Sequence, residues 1–234
     1  MSGRPPLVIH VPHASLWIPD ALRDQFTISA DALASEARLS ADLHTDLLAR
    51  AAWPQARIVS AEVSRVVVDV ERYEDDAQEV MAGVGRGVVY RCDRLGWPMR
   101  RPLDRAEREA LLDRFYRPHW RHLREAARDA VLIDLHSYPR DRWPIEPPSD
   151  GSRPEIDLGF EPGLSPDAWV AELTAHFEAR GYRVGHNTPY AGVIDAGARA
   201  AVMVEIRRDV VGTPGDGQWT RLVSALAAMP MPAL

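Results

Sequence analysis

The sequence predicts an α/β fold with a mixed, mainly parallel central sheet flanked by helices. Short runs rich in β-branched residues alternate along the chain with longer runs whose apolar residues recur every three to four positions. The chain is also long enough for such a fold, since its 234 residues are 46% hydrophobic and 26% charged. We therefore expect a single domain over residues 1–234.

Six segments are predicted to be strands because they are short and rich in Val, Ile and Leu. Parallel strands that are buried on both faces have this nearly continuous apolar character, whereas half-exposed strands alternate. The segments are PLVIHV (6–11), ARIVSAEV (56–63), RVVVDV (65–70), AVLIDL (130–135), YRVGHN (182–187) and AAVMVEI (200–206).

Four longer segments, residues 29–52, 104–130, 165–181 and 217–229, have the apolar spacing of helices. In the third, Ser165 is the predicted N-cap, Pro166 lies in the first turn and Gly181 ends the helix. Two long loops rich in Pro, Gly and Asp, near residues 73–104 and 139–164, interrupt the pattern. Loops of this length are usually lids or binding segments.

Composition excludes several classes of function. The net charge of -6 argues against a nucleic-acid partner, which would favour an excess of positive charge. All 28 basic residues are Arg, which excludes a lysine Schiff base or a P-loop lysine. The lone Cys92 excludes an internal disulfide or a Cys-rich zinc site, and the apolar run near the first residue is too short for a signal peptide or membrane span. We expect a cytoplasmic protein with no membrane partner and an oligomeric state that the sequence leaves open.

Polar residues follow the apolar runs where strands are predicted to end. His13 follows the first strand, Asp69 and Arg72 end the third, His136 ends the fourth, and Glu205 lies late in the last. In an open α/β sheet, ligands bind outside the carboxyl ends of parallel strands. Imidazoles, carboxylates and guanidiniums that meet there are the components of a hydrolytic metal site, and zinc is the metal that such ligands suit.

Other polar residues have simpler interpretations. His136 stands in a polar cluster with Asp134 and Ser137, which favours a functional role over a core position. His10 should point away from His13 and is predicted to be structural.

Two further groups resemble sites without having a complete motif. His119 and His122 share a helix face but lack the Glu of an HExxH motif, so a packing or solvated role fits them better. The segment DLHTD, residues 42–46, has two carboxylates on one helical face, and an exposed charged face explains it equally well.

Five segments in order resemble the N-formylglutamate amidohydrolase family: VPHAS, LSADLHTDLL, SRVVVDVER, IDLHSYP and VEIRRD. The resemblance extends from about residue 7 to residue 212. Two of the segments also resemble the zinc carboxypeptidases, in which a strand ending in His-Ser-Tyr supplies a zinc ligand and a later Glu is the general base. The resemblance therefore implies a zinc-carboxypeptidase-like (phosphorylase/hydrolase-like) fold and a zinc-dependent hydrolase.

By position, the resemblance implies that His13 and His136 are zinc ligands and that Asp42 completes the protein ligands. The carboxypeptidase pattern has a Glu three residues after its first His, but Leu16 occupies that position here. Asp42 is preferred as the third ligand over Asp46 or His44.

The same resemblance assigns Glu205 as the general base, which would take a proton from water and pass it to the leaving amine. Arg65 would stabilise the oxyanion, and Arg72 would bind a substrate carboxylate. Ser137 and Arg207, within the matched segments IDLHSYP and VEIRRD, are predicted substrate contacts.

Two segments depart from the family pattern. Glu71 stands where the family commonly has Asn, and its negative charge could alter how an acidic substrate is held. HNTPYAGV resembles the family's Asn-Pro-Gly loop, although Ala191 replaces a usual glycine. From this segment, Asn187 and Tyr190 are predicted to bind substrate.

The resulting hypothesis is a zinc-dependent hydrolase that cleaves the amide bond of a small acidic substrate. N-formyl-L-glutamate, giving formate and glutamate as in histidine degradation, is the leading substrate. The alternatives are another N-acyl amino acid amidase, a carboxypeptidase-like peptidase, or a protein that binds a metal or small acid without catalysis. Glu205 argues against the last, because a binding protein needs no proton shuttle.

Overall fold

The structure is a computed structural model that describes residues 5–146 and 153–234. Residues 1–4 of the amino-terminal segment and residues 147–152 of the predicted 139–164 loop lie outside the described residues. The strands are β1 (Leu7–Val11), β2 (Arg57–Ser60), β3 (Val131–Tyr138), β4 (Ile156–Gly159), β5 (Val184–His186) and β6 (Ala200–Arg207).

These strands form one sheet in the order β2-β1-β3-β6-β4-β5. The first four strands of that order are parallel, β4 runs antiparallel to β6, and β5 runs parallel to β4. The sheet is therefore mixed and mainly parallel, which confirms the predicted fold class.

Helices cover both faces of the sheet. On one face, side chains such as Ile133 and Val202 pack against α2, α5 and α6. On the other, side chains such as Leu132 and Ala201 pack against Leu123 of α4. The helices are α1 (Ala30–Ser40), α2 (Thr45–Ala52), α3 (Arg105–Leu111), α4 (Arg117–Ala127), α5 (Asp167–Glu178) and α6 (Gly217–Ala227).

A π-helical segment, Leu112–Tyr116, joins α3 to α4, so the predicted helix over residues 104–130 is present with a wider turn in its middle. Short 3-10 helices occupy Asp20–Gln25, Val80–Val84 and Arg208–Val210. Over the described part of the chain, no helix has both the length and the apolar composition that crossing a bilayer requires.

The face of the sheet that α4 covers changes from apolar to polar along the strands. Side chains alternate between the two faces, so partners in register on β1, β3, β6 and β4 lie side by side in rows. The apolar row is Val8, Leu132 and Ala201; the next is His10, Asp134 and Met203; the last is His136, Glu205 and Asp157. The sheet register itself therefore gathers titratable groups near the carboxyl ends of β1, β3 and β6.

The predicted strand over residues 65–70 is wrong. The segment forms turns, with the Val67 amide donating to the Ser64 carbonyl at 2.8 Å. Its valines are nevertheless buried in a second core beside the sheet. The guanidinium of Arg100 donates to the carbonyls of Val66 and Val67, so a side chain satisfies backbone groups that a sheet neighbour would otherwise satisfy.

The predicted helix over residues 29–52 is broken into α1 and α2. Between them His44 adopts a left-handed conformation with φ of 69°, which a continuous helix does not allow. The Asp42 amide donates to the His13 carbonyl at 2.9 Å, and the Thr45 hydroxyl donates to the Asp42 carbonyl. The break brings Asp42 next to His13.

Two smaller differences concern the second half of the chain. The predicted loop over residues 139–164 contains β4, a short strand without a distinct apolar run in the sequence. The N-cap of α5 is Pro166, and Ser165 instead donates its hydroxyl to the Ala201 carbonyl. Gly181 follows the helix with φ of 79°, as expected of a helix-ending glycine.

Candidate active site

A cavity of about 1380 Å³ opens at the polar end of the sheet. It brings together eight of the ten predicted site residues, from strands, the α1–α2 break and three loops. These eight residues are His13, Asp42, Arg65, Arg72, His136, Ser137, Tyr190 and Glu205.

His13 is held by a buried carboxylate. Its Nε2 lies 2.8 Å from Asp69 Oδ1, while the other carboxylate oxygen accepts from Arg65 at 2.7 Å and from the Tyr90 hydroxyl at 2.6 Å. Burial would raise the pKa of Asp69, but Arg65 and His13 outweigh it and hold that pKa well below its ordinary value. The ionised Asp69 accepts from Nε2, so Nδ1 of His13 faces the cavity side, buried and without a hydrogen-bond partner among the described residues.

His136 is held in the same way. Its Nε2 lies 3.1 Å from Asp134 Oδ1 and 3.1 Å from Glu71 Oε1. Its Nδ1 lies 3.2 Å from Asp42 Oδ2. Burial would lower the pKa of His136, yet Glu71, Asp134 and Asp42 raise it well above its ordinary value.

Asp42 lies between the two imidazoles. Its Oδ2 is 3.6 Å from His13 Nδ1 as well as 3.2 Å from His136 Nδ1, and its Oδ1 accepts from Arg208 Nη2 at 3.2 Å. Burial would raise the pKa of Asp42, but the two histidines lower it well below its ordinary value. Asp42 therefore presents a carboxylate oxygen to both Nδ1 atoms.

Asp42 is close enough to each histidine to share a metal ion with it. Two bonds of 2.0–2.1 Å at a tetrahedral zinc set their ligand atoms roughly 3.4 Å apart, which is close to the 3.2 and 3.6 Å observed. Metal-binding histidines also donate their second ring nitrogen to a carboxylate, as both do here. Glu71 offers another arrangement, in which His13, Glu71 and His136 each place a ligand atom within 4.8 Å of both others; His10, Glu71 and Asp134 do the same.

Glu205 lies in the same row as His136 and is 6% exposed. Its Oε2 has no hydrogen-bond partner among the described residues. Burial raises the pKa of Glu205 to about 8; His136 opposes this, and the carboxylates of Asp42 and Glu71 add to it. A carboxyl with an unpartnered oxygen next to the imidazole of His136 can accept and return a proton. The hydroxyl of Ser137, on the same wall, also lacks a partner there.

The arginines differ in how much of each guanidinium is already bonded. Arg65 gives Nε and Nη2 to Asp69. Arg72 lies 3.4 Å from Glu79 through Nη1 and has no partner for Nε among the described residues. Arg72 is thus the better placed of the two to bind a further anion.

Two predicted substrate contacts lie outside the cavity wall. Arg207 bonds to both carboxylate oxygens of Asp209 and to the Arg153 carbonyl. Asn187 has φ of 53° and bonds through its side chain to the backbones of Phe160 and Gly192. These bonds hold both side chains to neighbouring protein groups, and those of Asn187 fix the loop that presents Tyr190.

The structure adds cavity residues that sequence analysis did not select. Asp134 lines the cavity and stands two residues before His136, hence on the same face, a signal present in the sequence. Asp69 lies behind the cavity wall as the partner of His13. Arg208 is adjacent to Arg207, and only the turn after β6 decides which of the two enters the cavity. Arg153 has no signal of this kind.

Arg153 belongs to a cluster on the loop wall of the cavity. Its guanidinium pairs with Glu146 and lies 5.5 and 5.8 Å from the ring centres of Tyr138 and Tyr190. The Tyr190 hydroxyl donates to the other oxygen of Glu146 at 3.3 Å. Arg153 and the Tyr190 hydroxyl thus both bind the carboxylate of Glu146 on the cavity wall.

The sequence model of the N-formylglutamate amidohydrolase family matches residues 5–211. The chain belongs to this family. The chain is 34% identical over 193 residues to the N-formylglutamate deformylase of Pseudomonas putida, covering 77% of this chain and 69% of that protein. Family and relative together identify it as a hydrolase.

Two solved structures share the fold of this chain over nearly its whole length. An N-formylglutamate amidohydrolase from Ralstonia eutropha JMP134 superposes with a TM-score of 0.79 at 22% identity, covering 97% of this chain and 92% of that one. A gene product from Agrobacterium tumefaciens gives a TM-score of 0.73 at 21% identity, covering 96% and 88%.

Proposed function

We propose that this amidohydrolase cleaves the amide bond of a small N-acyl amino acid, with N-formyl-L-glutamate, which yields formate and glutamate, as the first candidate. The main support is that Glu205, a buried carboxyl whose Oε2 has no hydrogen-bond partner among the described residues, lines the same cavity as His13 and His136. The relative from Pseudomonas putida, whose name specifies N-formylglutamate, supports the substrate.

We place a metal ion, with zinc as the first candidate, between Nδ1 of His13, Nδ1 of His136 and Oδ2 of Asp42. The unpartnered Nδ1 of His13 supports this choice, because a buried imidazole nitrogen without a partner is costly unless a ligand fills the position. When bound, the ion would polarise the scissile carbonyl and lower the pKa of a water molecule. The donors are nitrogen and carboxylate oxygen, which zinc accepts.

Glu71 is assigned a different role from Asp42. It approaches His13 and His136 through their Nε2 atoms, at 3.5 and 3.1 Å. Nε2 of His13 already donates to Asp69 at 2.8 Å, so that nitrogen is committed to a hydrogen bond. We therefore treat Glu71 as a partner that helps to hold His136 and as a charge on the cavity wall.

Glu205 is the proton shuttle in this proposal. It would take a proton from the attacking water and give it to the nitrogen of the leaving amine. A cation held by His13, Asp42 and His136 would favour the ionised, basic form of Glu205, because opposite charges stabilise the charged state.

The arginines have electrostatic roles. Arg65, fixed by Asp69, carries a positive charge on the cavity wall and would stabilise negative charge that develops on the carbonyl oxygen. Arg72, with its free Nε, would bind a substrate carboxylate. Both cations favour an acidic substrate in a protein of net negative charge, because the field inside a cleft is local.

The test is a substrate panel with zinc-loaded protein and released amine as the readout. N-formyl and N-acetyl derivatives of glutamate, glutamine and methionine separate the acyl group from the side-chain charge. We expect N-formylglutamate to have the highest kcat/KM. Equal rates for the glutamine and methionine derivatives would favour a general N-acyl amino acid amidase, and binding without amine release would favour a non-catalytic protein.

A further inference from the structure

A buried chain of hydrogen bonds runs from α4 to His136. His119 Nε2 lies 2.8 Å from His10 Nε2, and His10 Nδ1 lies 2.9 Å from Asp134 Oδ1. The same oxygen of Asp134 lies 3.1 Å from His136 Nε2. His10 is 0% exposed and His119 is 8% exposed, so these side chains bond to one another and not to bulk water.

The chemistry of the groups fixes the direction of each bond. An ionised carboxylate only accepts, so His10 donates from Nδ1 and His136 donates from Nε2 to Asp134. In its neutral form His10, which donates from Nδ1, accepts at Nε2, and His119 is then the donor to His10. Burial, with the nearby His10, lowers the pKa of His119 to about 3, which keeps His119 neutral.

The sheet register builds this chain. His10 and Asp134 are paired on neighbouring parallel strands and point toward α4, which supplies His119. Leu123, one turn further along α4, packs in the apolar row below. An apolar pair would satisfy the core at this position, whereas three polar side chains are tolerated only when all their groups are bonded.

We propose that His10 and His119 are positioning residues that act through Asp134 on His136. The chain keeps hydrogen on Nε2 of His136, so that Nδ1 is the nitrogen left to bind a metal ion, and it fixes the ring toward Asp42. Outer partners of this kind orient a metal-binding imidazole and raise its basicity. This inference rests on the proposed metal site and extends it by two residues from a different strand and helix.

The decisive variant is His119→Leu, which removes the terminal donor but leaves Asp134 and His136 intact. We expect zinc affinity, measured by competition with a chromogenic chelator, to fall by about 10- to 100-fold. His119→Gln, whose amide can donate to His10, should recover part of that loss. His122→Leu, three residues along the same helix but exposed, is the matched control and should keep wild-type affinity.

A purely structural role makes a different prediction. In that case His119→Leu would lower the melting temperature of the metal-free protein, and zinc affinity per folded molecule would stay unchanged; that result overturns the inference. If the variant does not fold, NMR of the imidazole nitrogens in the wild-type metal-free protein tests the inference instead. We expect hydrogen on Nδ1 of His10 and on Nε2 of His119, and the opposite tautomers would overturn the chain.

These outcomes are separable from failure of the proposed function. Zinc affinity is measured without substrate, so amine release plays no part in it. Wild-type protein that binds no zinc would remove the proposed metal site and this inference together. Normal wild-type binding with unchanged affinity in His119→Leu would remove the inference alone.

Discussion

His136 Nδ1 lies 3.2 Å from Asp42 Oδ2, although 94 residues separate the two in the chain. The contact exists because the helix predicted through residue 42 is interrupted and turns its carboxylate toward the end of β3. The other two candidates for the third ligand are elsewhere: Asp46 lies in the first turn of α2, and the ring of His44 packs edge-on against Trp219 with centres 6.5 Å apart.

Asp42→Asn tests the metal site. The amide keeps the shape of the side chain but removes the charge that both imidazoles face, so zinc affinity should fall by at least about 100-fold, more than the loss of an outer hydrogen-bond partner causes. Asp46→Asn removes an equal charge from the same segment and should leave zinc affinity unchanged. Zinc content measured on dialysed protein checks both variants, and equal losses would show that local charge alone controls binding.

Glu205→Gln tests the catalyst. The amide cannot take a proton, so kcat should fall by roughly 100- to 10,000-fold, while zinc content and substrate affinity are retained. A structural ion pair with Arg207 or Arg208 would be the simplest competing role, but those arginines bond to Asp209 and Asp42 instead. Turnover, zinc content and melting temperature are measured on one preparation. An unchanged rate per folded molecule would leave the protein without its proposed base.

Arg207 and Arg208 form a natural matched pair. Arg208→Gln removes the donor that fixes Asp42 Oδ1, so zinc affinity should fall by about 10-fold, the lower end of the range for an outer partner. Arg207→Gln removes bonds to Asp209 and the Arg153 carbonyl, so the melting temperature should fall with zinc affinity unchanged. Chelator competition and thermal unfolding are compared for the two variants; the reverse pattern would restore Arg207 as the site residue.

The sheet was predictable because burial on both faces leaves a clear sequence pattern. β1, β3 and β6 are runs of Val, Ile and Leu, and their polar ends correctly located His13, His136 and Glu205 in one cavity. Residues 65–70 have the same composition and form turns, because Arg100 replaces the strand neighbour. Hydrophobic composition predicts that a segment is buried, but it does not predict which groups will form hydrogen bonds with the backbone of that segment.

The site departs from local sequence rules where it is assembled. Apolar periodicity continues through residues 29–52, yet the chain breaks at Asp42 to reach His13 and His136. The long-range hydrogen bond from the Asp42 amide to the His13 carbonyl, with the local bond from the Thr45 hydroxyl to the Asp42 carbonyl, outweighs helix propensity there. For the same reason the chain His119–His10–Asp134 was invisible in the sequence, since only strand register and helix packing bring its members together.

Asp157→Asn tests the cross-strand neighbour of Glu205. Burial raises the pKa of Asp157 to about 7, opposed by its hydrogen bond from the Thr188 amide. The folded state therefore holds the proton more tightly than the unfolded state, whose pKa is near 3.8. The contribution of this group to stability is complete below pH 4 and is lost as the pH rises through 7.

In the metal-free protein, the asparagine variant should match the wild type in unfolding free energy near pH 4. At pH 8 it should be more stable by at most about 4 kcal/mol. Asparagine keeps an acceptor for the Thr188 amide and cannot ionise. Urea unfolding at both pH values measures the difference, and a difference independent of pH would mean that Asp157 does not titrate in this range.

Glu71→Gln tests whether a charge on the cavity wall tunes substrate choice. Glu71 is 14% exposed in the cavity beside His136, where its negative charge opposes a second carboxylate on the substrate. Removing it should lower KM for N-formylglutamate by about 3- to 10-fold, the effect of roughly 1 kcal/mol of repulsion in a partly solvated site. N-formylglutamine, which lacks that charge, should change little. Glu62→Gln removes an equal charge from an exposed position and should alter neither KM. If Glu71→Gln instead releases zinc, then Glu71 and not Asp42 is the third protein ligand. Replacing a carboxylate that is not a ligand by an amide of the same shape would leave the metal ligands unchanged.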